Sequence, residues 1–226
     1  MGLKQIPILY ENDHCLVFNK PAGLPVQGGE GINTSLDSIL GQNYSPRPLL
    51  VHRLDRDTSG VILVARTREA AAGFSAMFSS RSLVKRYLGV CSGIPVPESG
   101  AIRESLEAIG KGHAKKESDT YYRLLSSANA YGNTFALLEL EIGTGRTHQI
   151  RRHLAFAGCP LLGDDKYGDF SLNKKMRKEA KLKNLLLHSY RMIIPPMADF
   201  LPEGLDISAP LPCYFPEWVD LSSGLQ

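Results

Sequence analysis

Asp55 stands in the run His52-Arg53-Leu54-Asp55-Arg56-Asp57-Thr58-Ser59-Gly60, with an arginine next to it on one side and another two residues before it. Adjacent positive charge favours the anionic carboxylate. An ionised carboxylate acts as a nucleophile, a general base or a metal ligand. Read alone, DRDTSG fits a turn better: Asp and Ser bond their own backbone there while the arginines stay in solvent. Asp55-Arg56-Asp57 also has the outline of the D-x-D pair of aspartyl phosphotransferases. That chemistry wants an apolar strand running into the first Asp, where this chain has His52 and Arg53, and Thr or Val two after the second, where it has Ser59. His148 and His153 lie five apart on a predicted helix, so they do not share a face and make a poor metal pair; both read as structural.

The elements around Asp55 are legible from periodicity. LLVHRL and GVILVAR are apolar and β-branched and too short for stable helices, so they read as strands flanking a polar DRDTS turn. LVFNKPAGLPVQGGEG reads as a strand running into a Pro/Gly loop. Thr67 is placed to cap a helix over 68–79. SLVKRYLGVCSG returns to strand. TFALLELEIGTG sets Leu138, Leu140 and Ile142 on one face, with Glu139 and Glu141 on the other. THQIRRHLAFAG changes to helical period, with a stripe of Ile150, Leu154 and Ala157, Thr147 as the expected N-cap, and Gly158 and Pro160 as the stop. Residues 185–194 read as a last strand. Many strands, few helices and no βαβ rhythm point to an α+β fold.

The chain has 226 residues with 43% hydrophobic and 22% charged residues, which fits a single domain over 1–226. Residues 192–226 carry five acidic residues and no Lys or Arg, and residues 1–50 carry three basic against four acidic. The middle is therefore basic, as a polyanion-binding face requires, although scattered solvated Lys and Arg would give the same count. The four cysteines stand far apart, without a C-x-x-C pair, which suggests neither a zinc site nor a disulfide framework. Neither a signal-like leader nor an apolar run of membrane-spanning length is visible, so a cytoplasmic protein with no membrane partner is expected. Monomer is the default oligomeric state.

The nine-residue run resembles the H-R-L-D-x-x-T-S-G signature of the RluA-type RNA pseudouridine synthases at every specified position. Four more stretches are similar to that family's motifs and follow in its order: Phe18 to Leu24; Lys85-Arg86-Tyr87 with Val90 and Gly93; residues 144–168, TGRTHQIRRHLAFAGCPLLGDDKYG; and Leu187-His188-Ser189. The resemblance implies the pseudouridine synthase fold, a mixed and mostly antiparallel sheet flanked by helices and loops. It implies an isomerase that breaks the N1–C1′ bond of a uridine, turns the base and joins C5 to C1′. That reaction has no redox change and no group donor, so no cofactor and no metal are expected, in keeping with the lack of a Walker loop or a G-x-G-x-x-G turn.

Residue by residue, the resemblance makes Asp55 the group that attacks or stabilises the ribose, and Arg151 the partner that keeps Asp55 anionic and aimed. Tyr87 becomes the ring that stacks on the uracil and assists proton removal at C5, and Leu187 an apolar neighbour of that ring. Arg53 is implied as the wedge that fills the gap left by the flipped base. His52, Lys85, Arg146 and Arg152 are implied as further substrate contacts, with Arg152 standing where the family usually has an apolar residue. Lys111, Lys115 and Lys116 and the run Lys174, Lys175, Arg177, Lys178, Lys181, Lys183 are basic enough to meet phosphates, the latter run being as readily a solvated face. The expected partner is RNA, ribosomal RNA of the large subunit first and transfer RNA second. A non-catalytic RNA-binding ribosome-assembly factor is the other reading. The motifs begin within twenty residues of the start, and no N-terminal RNA-binding module of the S4 type is expected.

Overall fold

The computed structural model describes residues 2–106 and 117–217. In chain order its elements are β1 (Ile8–Glu11), β2 (Cys15–Lys20), α1 (Leu36–Asn43), β3 (Leu49–Leu50), β4 (Ser59–Ala65), α2 (Arg68–Ser80), β5 (Val84–Ser92), β6 (Ser99–Arg103), β7 (Asp119–Ala130), β8 (Asn133–Ile142), α3 (Gln149–Phe156), α4 (Phe170–Glu179), β9 (Leu187–Ile194) and β10 (Leu205–Ser208). The α+β class read from the strand-rich pattern is the class observed. Among the described residues no helix is long and apolar enough to cross a membrane. The chain forms two compact units, residues 1–85 with 189–211, and residues 86–188 with 212–226.

In the first unit the strands run in the order β1-β2-β4-β9, with β3 on β4 and β10 on β9. β2 and β4 pair antiparallel, Phe18 opposite Ile62 and Lys20 opposite Gly60. Every residue of β4 is buried, and so is every residue of β2 but Asn19. Alternate residues of three strands make one core face: Cys15 and Val17, Val61 and Leu63, Met192 and Ile194, packed with Ala70 and Phe74 of α2. Thr67 caps α2 as the sequence predicts, its hydroxyl accepting the Ala70 N–H at 3.1 Å.

The predicted strand LLVHRL shrinks to Leu49–Leu50 for a definite reason. β3 pairs as far as Leu50 with Val64, and the next N–H of β4, on Leu63, is taken instead by His52 Nε2 at 2.9 Å. The imidazole ends the ladder, and the chain from Val51 to Thr58 runs as an irregular loop.

The second unit holds the order β5-β8-β7-β6. β7 and β8 form a hairpin closed by Tyr131-Gly132, both at positive φ. The alternation predicted for Leu138, Leu140 and Ile142 is observed, all three being buried while Glu139 and Glu141 are half-buried. α3 starts one residue later than Thr147 would place it. Its N-cap is His148, at φ 54, without a capping side chain. The Gln149 side chain instead ties the preceding loop to the helix start, accepting the Arg146 N–H at 3.1 Å. The helix does stop at Gly158, but Ala157 is exposed; the buried face is Gln149, Ile150, Arg151, His153 and Leu154.

Candidate active site

Asp55 lies half-buried on the loop that follows β3 in the first unit. That loop is pinned from below by a lysine that the sequence motif contains but gives no role. Lys20, at the end of β2, is 0% exposed. Its Nζ donates to three carbonyls: Pro21 at 3.0 Å, Leu24 at 2.8 Å and Arg56 at 3.0 Å. An ammonium has three N–H donors and no acceptor, so all three bonds exist only while it is protonated. Burial pushes this ammonium down to about 7, against the upward pull of the Asp57 and Asp55 carboxylates. The Arg56 carbonyl also accepts the Gly23 N–H at 2.9 Å, and Thr58 N–H closes the turn on the Asp55 carbonyl at 3.2 Å. Loop and Pro/Gly segment are thus stitched together one residue from Asp55.

Around this carboxylate, Arg53 is exposed and Arg56 lies 3.9 Å from Asp57. His52 and Lys85 are taken up in support of the loop. The His52 ring stacks on Phe78 at 4.5 Å between centroids, and Lys85 Nζ sits 5.7 Å from the same ring. Desolvation, then the Lys85 charge, pushes His52 down to about 3, so its ring is neutral and Nε2 is the acceptor for Leu63. Burial, then Arg81, lowers the Lys85 ammonium. Gly60 closes the signature because nothing larger fits. At φ +109, a Cβ there would lie 2.1 Å from the Ser189 carbonyl oxygen.

The second unit carries Tyr87, Arg151, Arg146, Arg152 and Leu187. Tyr87 is 7% exposed on β5, opposite Leu140. Two residues on, Gly89 leaves room for Leu140, Leu161 and Leu187, whose side chains would meet a Cβ there at 2.9, 2.9 and 3.6 Å. Leu187 thus packs on the face of β5 to which Tyr87 belongs by alternation.

Arg151, on α3, is held by an acid that sequence reasoning passed over. Its Nε donates to Asp164 Oδ2 at 2.8 Å and its Nη2 to Asp164 Oδ1 at 2.7 Å, and Nη2 also reaches Asp165 at 3.4 Å. Asp164 Oδ1 accepts the Lys166 and Tyr167 N–H groups, each at 2.9 Å. Burial raises the Asp164 carboxyl, but the Arg151 hydrogen bonds and those two N–H groups outweigh it and hold it below its ordinary value. Asn173 of α4 fixes the other side, donating to the Asp164 carbonyl at 2.8 Å and accepting the Gly163 N–H at 2.9 Å. The Tyr167 ring lies 5.4 Å from the guanidinium, and its hydroxyl meets His148 Nδ1 at 3.1 Å. The G-D-x-x-Y-G stretch is therefore the cradle of Arg151. The signal for it was an acid in a glycine-bounded loop shortly after a helix that carries arginine.

Gln149 locks the start of α3: it accepts from Thr144 Oγ1 at 2.6 Å and donates to the Asp119 carbonyl at 2.8 Å. His153 is fully buried and bonds Thr120 and Ser118, which is the structural role expected of it. Arg152 is half-buried. Arg146 Nε is buried without an acceptor among the described residues. Lys111, Lys115 and Lys116 lie outside the described residues. No group of three or more metal-ligating side chains occurs among the described ones.

Residues 14–156 match the RNA pseudouridylate synthase family. The chain belongs to this family. It is 36% identical over 220 residues to the ribosomal large subunit pseudouridine synthase C of Rickettsia typhi, covering 92% of this chain and 69% of that protein. It is 35% identical over 182 residues to the ribosomal large subunit pseudouridine synthase D of Zymomonas mobilis, over 72% of this chain and 56% of that protein. Among solved structures it is similar to human RNA pseudouridylate synthase domain containing 4, at 28% identity and a TM-score of 0.75, over 92% of this chain and 89% of the other. The fold is the pseudouridine synthase fold, and the chain is an isomerase of the pseudouridine synthase class.

Proposed function

We propose that this synthase isomerises uridines in large-subunit ribosomal RNA, with Asp55 attacking or stabilising the ribose while the base is detached. The observation that carries the reading is the half-buried Asp55 on a loop tied down by the three-carbonyl grip of Lys20. A carboxylate held on a rigid loop loses little reorganisation energy at the moment of reaction. The names of the bacterial relatives support the ribosomal substrate.

In this reading Arg151 is the arginine that acts on Asp55, the role the family resemblance implies for it. Tyr87 stacks on the detached uracil and its hydroxyl assists loss of the C5 proton, with Leu187 packed beside it. The N1–C1′ bond breaks, the base turns and C5–C1′ forms; the C5 proton leaves and N1 gains one, so the reaction is isomeric overall. Arg53 enters the stack in place of the flipped uridine, whose extrusion costs a few kcal/mol. Arg146 and Arg152 meet phosphates, and the unmet Nε of Arg146 suits an anionic acceptor. His52 and Lys85 act on the substrate through the loop they support.

Replacing Asp55 with Ala is expected to abolish tritium release from RNA labelled at uracil C5, while RNA affinity stays within a few-fold. Turnover by that variant at the wild-type rate would refute the assignment. Mapping pseudouridines in a deletion strain against its parent decides the substrate: sites lost from large-subunit ribosomal RNA support the proposal, and sites lost only from transfer RNA overturn it.

A further inference from the structure

The second unit contains a cavity of about 610 Å³ that Asp55, Tyr87 and Arg151 do not line. Its walls are apolar, from Leu162, Leu186, Met176 and Phe215, and two tyrosines, Tyr131 and Tyr214, stand on it. Lys181 and Lys183, both exposed, line it from the end of the basic run that begins on α4. Asn184 and Glu217 add hydrogen-bonding groups. A volume of this size with apolar walls and a few polar groups suits a ligand of nucleotide dimensions.

Two backbone oddities converge here. Tyr131 is the first central residue of the β7–β8 turn, with φ 52 followed by 68 at Gly132. Such a turn favours Asn, Asp or Gly at that place, not an aromatic ring. The Tyr131 carbonyl is tied by Asn133 Nδ2 and Lys175 Nζ, and the residue is left 39% exposed. Lys181, at φ 55, follows the last turn of α4, where Gly or Asn is the usual choice. Of the four non-glycine residues with positive φ among the described residues, these two line the same cavity. Side chains kept at positions that disfavour them are a mark of ligand sites.

We propose that this cavity is a second RNA subsite. It takes the base of one unpaired nucleotide of the substrate, other than the uridine that is isomerised. The base stacks against tyrosine and its phosphates lie over Lys181 and Lys183. Aromatic rings beside lysines are the general means of holding single-stranded RNA. The proposal rests on the reading of the chain as an enzyme of ribosomal RNA. It gives the segment from α4 onward a division of labour: Met176 helps wall the cavity while Lys181 and Lys183 meet the strand.

The test uses two variants of the full chain. Tyr131→Asn removes the ring and suits the turn, so folding is preserved. Lys181→Asn with Lys183→Ala removes both charges and relieves the positive φ. Affinity for a large-subunit ribosomal RNA fragment is measured across salt concentrations, beside tritium release at saturating RNA. Each variant should bind roughly tenfold more weakly, with maximal turnover within about twofold of wild type. The lysine variant should also lose about 1.4 from the slope of log affinity against log salt, at ~0.7 per single-strand phosphate. Unchanged affinity and slope in both variants overturn the subsite even if wild type is active. Wild-type RNA binding without tritium release overturns the enzymatic reading alone, and the affinities still decide the subsite. Photocrosslinking from 4-thiouridine RNA should mark Tyr131, and crosslinks confined to other peptides count against it.

Discussion

Arg151 and Asp164 form a two-pronged ion pair at 2.8 and 2.7 Å in which both side chains are almost wholly buried, 5% and 1% exposed. A helix residue and a loop residue thirteen positions apart therefore share one rigid geometry. Nη2 also reaches Asp165 at 3.4 Å. The pair belongs to a longer chain of supports: α4 supplies Asn173, Asn173 holds Asp164, and Asp164 holds Arg151.

Removing the acid takes from a buried guanidinium its two-pronged, buried counter-charge. Asp164→Ala is expected to cost about 3–5 kcal/mol, and Asp164→Asn somewhat less. The carboxyl is held below its unfolded value, so its contribution is complete above about pH 4 and is lost as pH falls through the folded value. Wild type should lose stability below pH 4 more steeply than Asp164→Asn. Urea melts at pH 7, 5 and 3 measure this, and parallel pH profiles would refute the role given to the pair.

Lys20 should prove more valuable than any surface lysine. Lys20→Met keeps the volume but takes the ammonium bond from three carbonyls, of which Arg56 keeps the Gly23 N–H, at about 1–3 kcal/mol for each left unpaired where water cannot reach. The loop that carries Asp55 loses its underside as well. We expect a lower melting temperature and a fall in turnover larger than the fall in RNA affinity. Equal losses in both would mean that Lys20 serves the fold alone.

Much of this was legible because the local rules agree with the fold. Thr67 before an amphipathic run gave α2, and the Leu138-Leu140-Ile142 alternation gave β8. The failures come from side chains that replace backbone partners. His52 takes the N–H that would have extended β3, and His148 stands at the start of α3 where Thr147 was expected, with the Gln149 side chain holding the loop before it. Neither substitution has a periodic signature. Lys20 and Asp164 were visible as motif letters, but their roles need three carbonyls and one arginine brought together from distant positions. Asn173 stands just before a basic run, where its neighbours drew attention to charge, while its own place is on the buried side of α4.

Gly60→Ala tests whether the signature ends in glycine for room. The new methyl group would lie 2.1 Å from the Ser189 carbonyl oxygen at a φ of +109. Strain and displacement together should cost on the order of 4 kcal/mol. Circular dichroism melts should show a large loss. A loss under about 1 kcal/mol would mean that β9 yields easily at Ser189.

Arg53 offers the sharpest separation of binding from chemistry. It is exposed, so Arg53→Ala should leave stability within about 0.5 kcal/mol. If its guanidinium fills the gap left by the flipped uridine, its loss makes extrusion harder and leaves the later steps untouched. Single-turnover tritium release should then fall on a uridine in a paired stem. A uridine in an unpaired loop costs less to extrude, so the variant should recover much of the wild-type rate on it. Arg53→Lys keeps the charge but loses the planar, stackable group and should behave more like alanine than like arginine. A defect of the same size on stem and loop substrates would instead make Arg53 a phosphate contact, and would show as a shallower salt dependence of binding.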